Sequence, residues 1–192
     1  AEAEDAHREK VRAMLDEPYR TMLGHFRHEI GHYYESFLIT DDQTRDRARE
    51  LFGDESEDYQ AAIDRHYAEG APDDWQQRFI SQYATMHPWE DFAETWAHYL
   101  HISDSIQTAE EFGLLRPAPT ASFRERVTKT WMPLSTALNM MNRSMGYDDL
   151  YPFVLSTPVL DKLDFVAGLA TDAAAGSVKD SSAGDVEPES GA

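Results

Sequence analysis

Three histidines and one glutamate lie within residues 24–34, whose sequence is GHFRHEIGHYY. The segment HEIGH within it has the pattern His-Glu-x-x-His, with His28 and His32 four residues apart. On an α-helix, side chains four residues apart lie one above the other, so both imidazoles can reach a single ion. Zinc accepts such nitrogens at about 2.0–2.1 Å. The spacing therefore predicts half of a metal site.

Glu29 follows His28 directly and lies roughly 100° around the helix from it. At this angle Glu29 is too far around the helix to be the third ligand of the same ion, but it can take a proton from a water molecule bound to the metal. We therefore predict that Glu29 is a general base and that the third ligand lies elsewhere in the chain.

The predicted helix around HEIGH has two distinct faces. The apolar face comprises Leu23, Phe26, Ile30, Tyr33 and Phe37. The opposite face comprises Thr21, His25, His28, His32 and Glu35. Because an amphipathic helix buries its apolar side, we expect the histidine face to point away from the core. A solvated polar face without a metal is the alternative interpretation.

A second segment, HPWEDFAETWAHYLH at residues 87–101, offers the missing ligand. Its polar face comprises Glu90, Glu94, His98 and His101. Its apolar face comprises Trp89, Phe92, Trp96, Tyr99 and Leu100. Two helices of this kind can pack with their polar faces together, which would supply the third protein ligand that a catalytic zinc site needs. Two unrelated solvated faces are the alternative.

A pattern of His-Glu-x-x-His followed by a Glu-x-x-x-Glu/Asp helix, here HEIGH and EDFAE, resembles the gluzincin arrangement of zinc metallopeptidases. More closely, EPYRTMLGHFRHEIGHYY, HPWEDFAETWAHYLH and FGL resemble a family of zinc-binding metallopeptidases known mainly from bacterial genomes. The resemblance covers most of residues 1 to about 170 and is strongest around the two motif helices.

This resemblance implies a zinc-dependent peptidase with Zn²⁺ held by His28, His32 and Glu90. It also implies that Glu94 fixes the ring of a ligating histidine and that Glu29 is the general base. Lethal-factor-like gluzincins place an oxyanion-stabilising tyrosine seven residues before the third ligand, and Tyr83 occupies that offset. A Glu-x-x-x-His variant, with Glu94 as the ligand and His98 beside it, is the alternative.

The sequence departs from this family's pattern in two ways. Such domains normally carry a small β-sheet before the first motif helix, whose edge strand holds an extended peptide, and this chain starts too close to HEIGH to include it. Relatives often have a cysteine-rich zinc ribbon, whereas this chain has no cysteine. A non-catalytic metal-binding or interaction module without a usable cleft is therefore the alternative function, and an acidic helical scaffold without metal is a third.

The composition limits the class of partner. The formal net charge of −19 argues against nucleic acid and anionic membranes as partners, and the resemblance implies a peptide or protein substrate. Without cysteine, any metal must take nitrogen and oxygen ligands. No apolar run approaches a bilayer span. Because the chain begins AEAEDA rather than with Met, we interpret it as a fragment or a processed chain. No signal peptide opens the sequence, and we therefore predict a cytoplasmic location.

Helical periodicity in nearly every segment predicts a mainly α fold, with a zincin-like metallopeptidase core at residues 1–172 and a disordered acidic tail at 173–192. The first motif helix is expected to begin near Asp16 and Pro18 and to end near Leu38. Residues 72–87 are expected to begin as a helix and loosen before Pro88, which starts the second motif helix.

Other start and stop signals mark the remaining helices. Asp41 or Asp42 is expected to cap a helix that ends at Gly53, and the next helix is expected to end at Gly70. Residues 123–146 are expected to form a helix kinked by Pro133, and residues 157–170 form the last predicted helix.

Overall fold

A computed structural model describes residues 21–117, 119 and 122–182, with side chains described as far as residue 175. Its helices are α1 (Met22–Leu38), α2 (Asp42–Phe52), α3 (Tyr59–Glu69), α4 (Pro88–Glu111), α5 (Phe123–Arg126), α6 (Met132–Ser144) and α7 (Thr157–Ser182). Two 3₁₀ turns, Trp75–Gln77 and Tyr83–Thr85, precede α4, and a π turn, Val127–Trp131, joins α5 to α6. No strand occurs within these described ranges, which confirms the mainly α prediction.

Several helix ends lie where the sequence predicts them. The Asp41 carboxylate accepts a hydrogen bond from the Thr44 backbone N–H at 2.9 Å and caps α2. The helices α2 and α3 end at Gly53 (φ 106°) and Gly70 (φ 75°), a backbone region that favours glycine. Pro88 occupies the first turn of α4, where its missing N–H costs nothing.

Two segments differ from the prediction. The helix α1 begins at Met22, where the Thr21 hydroxyl accepts a hydrogen bond from the Gly24 N–H at 3.0 Å. The predicted start at Asp16 and Pro18 lies outside the described residues. Residues 72–87 form the two 3₁₀ turns instead of the start of an α-helix, because tertiary bonds such as that from Lys162 Nζ to the Arg78 carbonyl (2.9 Å) hold this stretch.

The irregularity expected at Pro133 takes the form of the π turn just before it. The Met132 N–H donates to the Val127 carbonyl, five residues earlier. This wider turn accommodates a proline ring that would otherwise clash with the carbonyl four residues before it. The last helix, α7, continues to Ser182, so residue 172, where the sequence predicts the core to end, lies inside it.

The helix α4 lies at the centre of the fold. Its residues Phe92, Ala93, Ile102 and Ile106 are fully buried. One apolar cluster joins the C-terminal half of α4 to the π turn and α7 through residues such as Trp131 and Leu163. A second cluster joins its N-terminal half to α2 and α7. Burial on several sides fixes the backbone of α4 and therefore the positions of the polar side chains that it carries.

The helix α1 packs closely along α4 through a glycine. A Cβ atom on Gly31 would lie 2.9 Å from Ala93 Cα and 3.2 Å from Trp96 Cβ, which is too near for any side chain. The two backbones therefore approach each other between the two motif histidines, three residues after His28 and directly before His32. This contact brings the polar faces of the two helices together, as the sequence predicts.

The prediction that the apolar face of α1 packs on the core is wrong. Phe26, Tyr33 and Phe37 are each about 60% exposed, whereas His28 is 7% exposed. The buried side of α1 instead carries Gly24, His28 and Gly31. Close approach to α4 requires small residues, and the carboxylates of α4 compensate the buried imidazole, so this side is buried although it is polar.

The helix α7 is tied to α4 by a buried ion pair. The Lys162 ammonium contacts the Asp91 carboxylate, and both residues are almost fully buried. The same ammonium also donates the hydrogen bond to the Arg78 carbonyl, so this one side chain joins α7, α4 and the segment before α4. Among the described helices, none combines the length and the apolar character needed to cross a membrane.

Candidate metal centre

Three ligand-type atoms from α1 and α4 converge on one point. The Nε2 atoms of His28 and His32 are 3.2 Å apart. Oε2 of Glu90 lies 3.0 Å from His28 Nε2 and 3.6 Å from His32 Nε2. Ligands about 2.0–2.1 Å from a shared tetrahedral ion are separated by about 3.3 Å, close to all three distances. These three residues could therefore hold a metal ion.

The oxygen of Glu90 that faces the histidines supports this assignment. Glu90 is 2% exposed, and its Oε2 lies within ion-pair distance of only two described groups, the imidazoles of His28 and His32. A buried carboxylate oxygen that faces the nitrogen lone pairs of two neutral imidazoles is costly unless a proton or a metal cation lies between them. The donor set of two imidazole nitrogens and one carboxylate oxygen is one that zinc accepts, so the residues fit the ion.

Glu94, one turn after Glu90, contacts the other nitrogen of the His28 ring. His28 Nδ1 lies 2.6 Å from Glu94 Oε1, and the Ser81 hydroxyl donates to Glu94 Oε2 at 2.7 Å. Burial opposes the ionisation of Glu94, but the hydrogen bond and charge of His28 outweigh it and lower the pKa of this carboxyl. The ionised carboxylate makes His28 Nδ1 a donor, which leaves the Nε2 lone pair directed at the convergence point.

Glu90 is oriented by a tyrosine from α3. The Tyr59 hydroxyl donates to Glu90 Oε1 at 2.6 Å. The Tyr59 ring lies 5.2 Å from the His87 ring and 5.7 Å from the Trp89 ring, so the hydroxyl is held in place from the side. With Oε1 occupied by this bond, only Oε2 of Glu90 remains free for an ion.

The electrostatics of the centre favour a positive charge. Burial of the His28 ring opposes its protonation, but Glu90 and Glu94 outweigh this effect and raise its pKa to about 10. Burial likewise opposes ionisation of Glu90, yet hydrogen bonds with His28, His32 and Tyr59 lower its pKa. A site that holds a proton this strongly also attracts a metal cation, for which the proton must leave.

Glu29 lies beside the centre and is open to solvent. Its side chain is 58% exposed, and its carboxylate is 3.7 Å from His25 Nε2. Together with His28 and Tyr83, Glu29 lines a cavity of about 60 Å³. The Tyr83 ring is centred 5.7 Å from the His28 ring. The sequence-predicted base and tyrosine therefore both lie at the edge of the candidate centre.

The remaining histidines of α4 lie apart from the convergence point. His98 Nδ1 is 3.0 Å from the Tyr151 hydroxyl, and His101 Nδ1 is 2.8 Å from Arg27 Nη1. Neither residue belongs to the group of atoms formed by His28, His32 and Glu90. Glu90 thus belongs to the group that could hold an ion, whereas Glu94 contacts Nδ1 of His28, and this arrangement disfavours the Glu-x-x-x-His alternative.

Sequence analysis missed Tyr59 and Ser81, the two hydroxyls that bind the carboxylates. Tyr59 lies 31 residues before its partner Glu90, and no local pattern distinguishes it from the other eight tyrosines. Ser81 lies in the segment predicted as a loosening helix. Their roles depend on tertiary placement alone, so no sequence signal would have identified them.

The chain was compared with known families, curated proteins and solved structures. Residues 1–169 match the family described as "Putative zinc-binding metallo-peptidase". Proteins from Mycobacterium bovis and Mycobacterium tuberculosis, both named "Uncharacterized protein", are each 53% identical to this chain over 182 residues. That alignment covers 91% of this chain and 53% of each relative, so the chain spans about half the length of the curated relatives it matches. No solved structure gives a significant match.

The family match extends over most of the chain, including both motif helices. The converging ligand atoms lie within it. The chain therefore belongs to the family described as "Putative zinc-binding metallo-peptidase".

Proposed function

We propose that this chain is the catalytic core of a zinc-dependent peptidase of the gluzincin type, acting on peptide or protein substrates. One observation carries the proposal: His28 Nε2, His32 Nε2 and the buried Glu90 Oε2 lie 3.0–3.6 Å from one another. His28, His32 and Glu90 would hold the ion. When bound, zinc would supply Lewis-acid chemistry, which activates water and polarises a carbonyl group.

The protein's own proton carrier in this proposal is Glu29. Its carboxylate is exposed beside the ligand histidines, in the cavity that also contains Tyr83. Glu29 accepts a proton from the attacking water and passes it to the leaving amine, as a general base and then a general acid. The Tyr83 hydroxyl is the candidate donor to the oxyanion; one such donor is typically worth about 2.7–4 kcal/mol.

The residues behind the ligands maintain their orientation. Glu94 keeps the Nδ1 proton on His28, and Ser81 fixes Glu94. Tyr59 occupies one oxygen of Glu90 and leaves the other free. Because positions within about 0.5 Å matter for a catalytic centre, this support is part of the proposed function.

The test uses Glu29→Gln with Glu111→Gln, an exposed carboxylate at the end of α4, as the control. Both variants should hold one zinc per chain by elemental analysis, because neither residue is a proposed ligand. Glu29→Gln should hydrolyse a peptide mixture about 10²–10⁴-fold more slowly than the parent. Chelator should stop hydrolysis by the parent, and added zinc should restore it. A Glu29→Gln variant as fast as the parent would remove the proposed base.

A non-catalytic metal-binding module is the second candidate. It is favoured by the small volume, about 60 Å³, of the cavity beside Glu29. Stoichiometric zinc without chelator-sensitive hydrolysis of any peptide would support this candidate over the first.

A further inference from the structure

A second cavity, of about 480 Å³, adjoins the candidate metal centre. His32 and Glu90 line it, so it opens directly onto two of the three proposed ligands. Its volume falls in the range of small-molecule and side-chain sites. A group bound there would lie next to any bond undergoing reaction at the metal centre.

Most of the wall of this cavity is apolar. Ile39, Phe52 and Pro88 contribute to it, and the Trp89 ring, 41% exposed, lies at its edge. Such walls would receive the hydrocarbon part of a side chain and remove it from water. An aromatic ring can additionally attract a cation placed over its face.

The cavity also contains a carboxyl group without a cationic partner among the described residues. Glu35 lies three residues after His32 and is partly buried, and no described cation lies within ion-pair distance of its carboxylate. Burial and the nearby charges of Glu55 and Glu90 raise the pKa of Glu35 to about 8. Glu35 would therefore gain from a positive charge brought into the cavity.

The two other charged residues lining the cavity, apart from the ligands, already have partners. Glu55 is bound by Arg49 through two hydrogen bonds of 2.7 and 2.8 Å. Arg45, also on the wall, is bonded to Asp42 at 2.9 Å. Glu35 is thus the group that would decide which kind of side chain enters.

We propose that this cavity selects a substrate residue with a cationic tip, arginine or lysine, next to the scissile bond, and that Glu35 is its specificity-determining residue. Arginine and lysine combine an apolar stem with a charged end, which matches apolar walls around one carboxylate. An acidic side chain would instead oppose the ionisation of Glu35 and gain no ion pair from it. The inference rests on the proposed peptidase function, because it assigns the cavity to that site.

A binding experiment tests the cavity without catalysis. The affinity of the purified, zinc-loaded chain is measured by calorimetry for N-acetyl-arginine amide, N-acetyl-norleucine amide and N-acetyl-glutamate amide. The parent should bind the arginine amide about tenfold more tightly than the norleucine amide, as expected for one added ion pair in a partly buried cavity. Glu35→Gln should lose this preference and keep its zinc. Glu50→Gln, an exposed carboxylate on α2 outside the cavity, should retain the preference.

A cleavage experiment provides the second readout. The parent should cut a peptide library with arginine or lysine enriched at one position beside the scissile bond, and Glu35→Lys should shift that position to aspartate or glutamate. Equal affinity for the arginine and norleucine amides, or a preference that survives Glu35→Gln, overturns the inference. A preference for the glutamate amide would assign the cavity to Arg45 and overturn it as well.

The two experiments separate failure of the pocket from failure of the proposed function. Arginine-selective binding that depends on Glu35, without any hydrolysis, would keep the pocket and reject the peptidase. Hydrolysis that depends on Glu29, with no basic preference, would keep the peptidase and reject the pocket.

Discussion

Two buried histidines, His28 on α1 and His98 on α4, are 7% and 3% exposed, respectively. The charge of Glu94 acts on the pKa of both. They differ in the groups that lie nearest to their ring nitrogens. His28 Nε2 faces another imidazole and a carboxylate oxygen, at 3.2 and 3.0 Å. His98 Nδ1 meets a neutral hydroxyl, that of Tyr151, at 3.0 Å.

The titration of these two histidines moves in opposite directions. Two carboxylates in direct contact raise the pKa of His28 to about 10 in spite of its burial. Burial lowers the pKa of His98 to about 3, and the more distant charge of Glu94 does not reverse this. Burial alone therefore does not determine the charge of a histidine. The number of carboxylates in contact decides whether its surroundings hold a cation.

Removing a carboxylate from the His28 side should give the largest effect. We expect Glu90→Ala to weaken zinc binding by more than about 100-fold, beyond the 10–100-fold typical of losing a group that orients a ligand. Glu94→Ala should fall within that lower range. A competition titration with a chromophoric chelator measures both. His98→Ala is the control, because its ring is outside the convergence point, and should change zinc affinity least.

A ranking in which Glu94→Ala costs more zinc affinity than Glu90→Ala would move the ligand to Glu94. A loss in His98→Ala as large as in Glu90→Ala would break the distinction between the two histidine environments.

The close contact of α1 with α4 should be sensitive to one methyl group. Gly31→Ala would place a Cβ 2.9 Å from Ala93 Cα, so we expect about 1–3 kcal/mol lower free energy of unfolding in urea denaturation. Gly168→Ala in α7 is the control, since its Cβ meets nothing within 4 Å, and it should stabilise by about 0.5–1 kcal/mol. Equal effects of the two would mean that the helices separate without cost.

The depressed pKa of His98 predicts a pH-dependent stability. Between about pH 6 and 4.5 the unfolded chain binds a proton at this residue and the folded chain does not, so its contribution to stability falls as the pH falls. The parent should lose about 1.4 kcal/mol per pH unit relative to His98→Gln across this window. Urea denaturation at several pH values measures the difference, in which the pKa shifts of groups that do not interact with His98 cancel. Parallel stability curves would show that His98 is charged in the folded state.

Loss of the Tyr59 hydroxyl should give the smallest effect. Tyr59→Phe removes the 2.6 Å hydrogen bond to Glu90 Oε1, and we expect zinc affinity to fall about tenfold, at the lower limit for such supporting groups. Tyr67→Phe on the same helix, 66% exposed, is the matched control and should leave the affinity unchanged. Identical affinities for the two variants would make Tyr59 a packing residue only.

The group of residues that could hold an ion was predictable because its members share helical periodicity. The four-residue spacing of His28 and His32, and of Glu90 and Glu94, fixes each pair on one face of a helix. The helix ends at Asp41, Gly53 and Pro88 were equally local, and the structure has them there. What depends on spacing within one helix can be read from the chain.

The environment of the helices was not predictable in this way. The helical periodicity of α1 predicts that its apolar face packs on the core. Gly31 and the carboxylates of α4 make the opposite face the buried one. The turns at residues 72–87 and the contacts of Tyr59 and Ser81 depend on partners far along the chain. Local periodicity carries no information about which partner a face meets.

The Lys162 ammonium links the last helix to the candidate metal centre, although no described residue of α7 belongs to the group that could hold the ion. Its partner Asp91 follows Glu90 directly, and its second bond anchors Arg78, three residues before Ser81. A chain shortened ahead of Thr157 would lose the counterion of Asp91 and also the apolar side chains, such as Leu163, that cover α4. The smallest autonomous unit able to carry the two motifs therefore extends through the C-terminal helix, well past the motifs themselves.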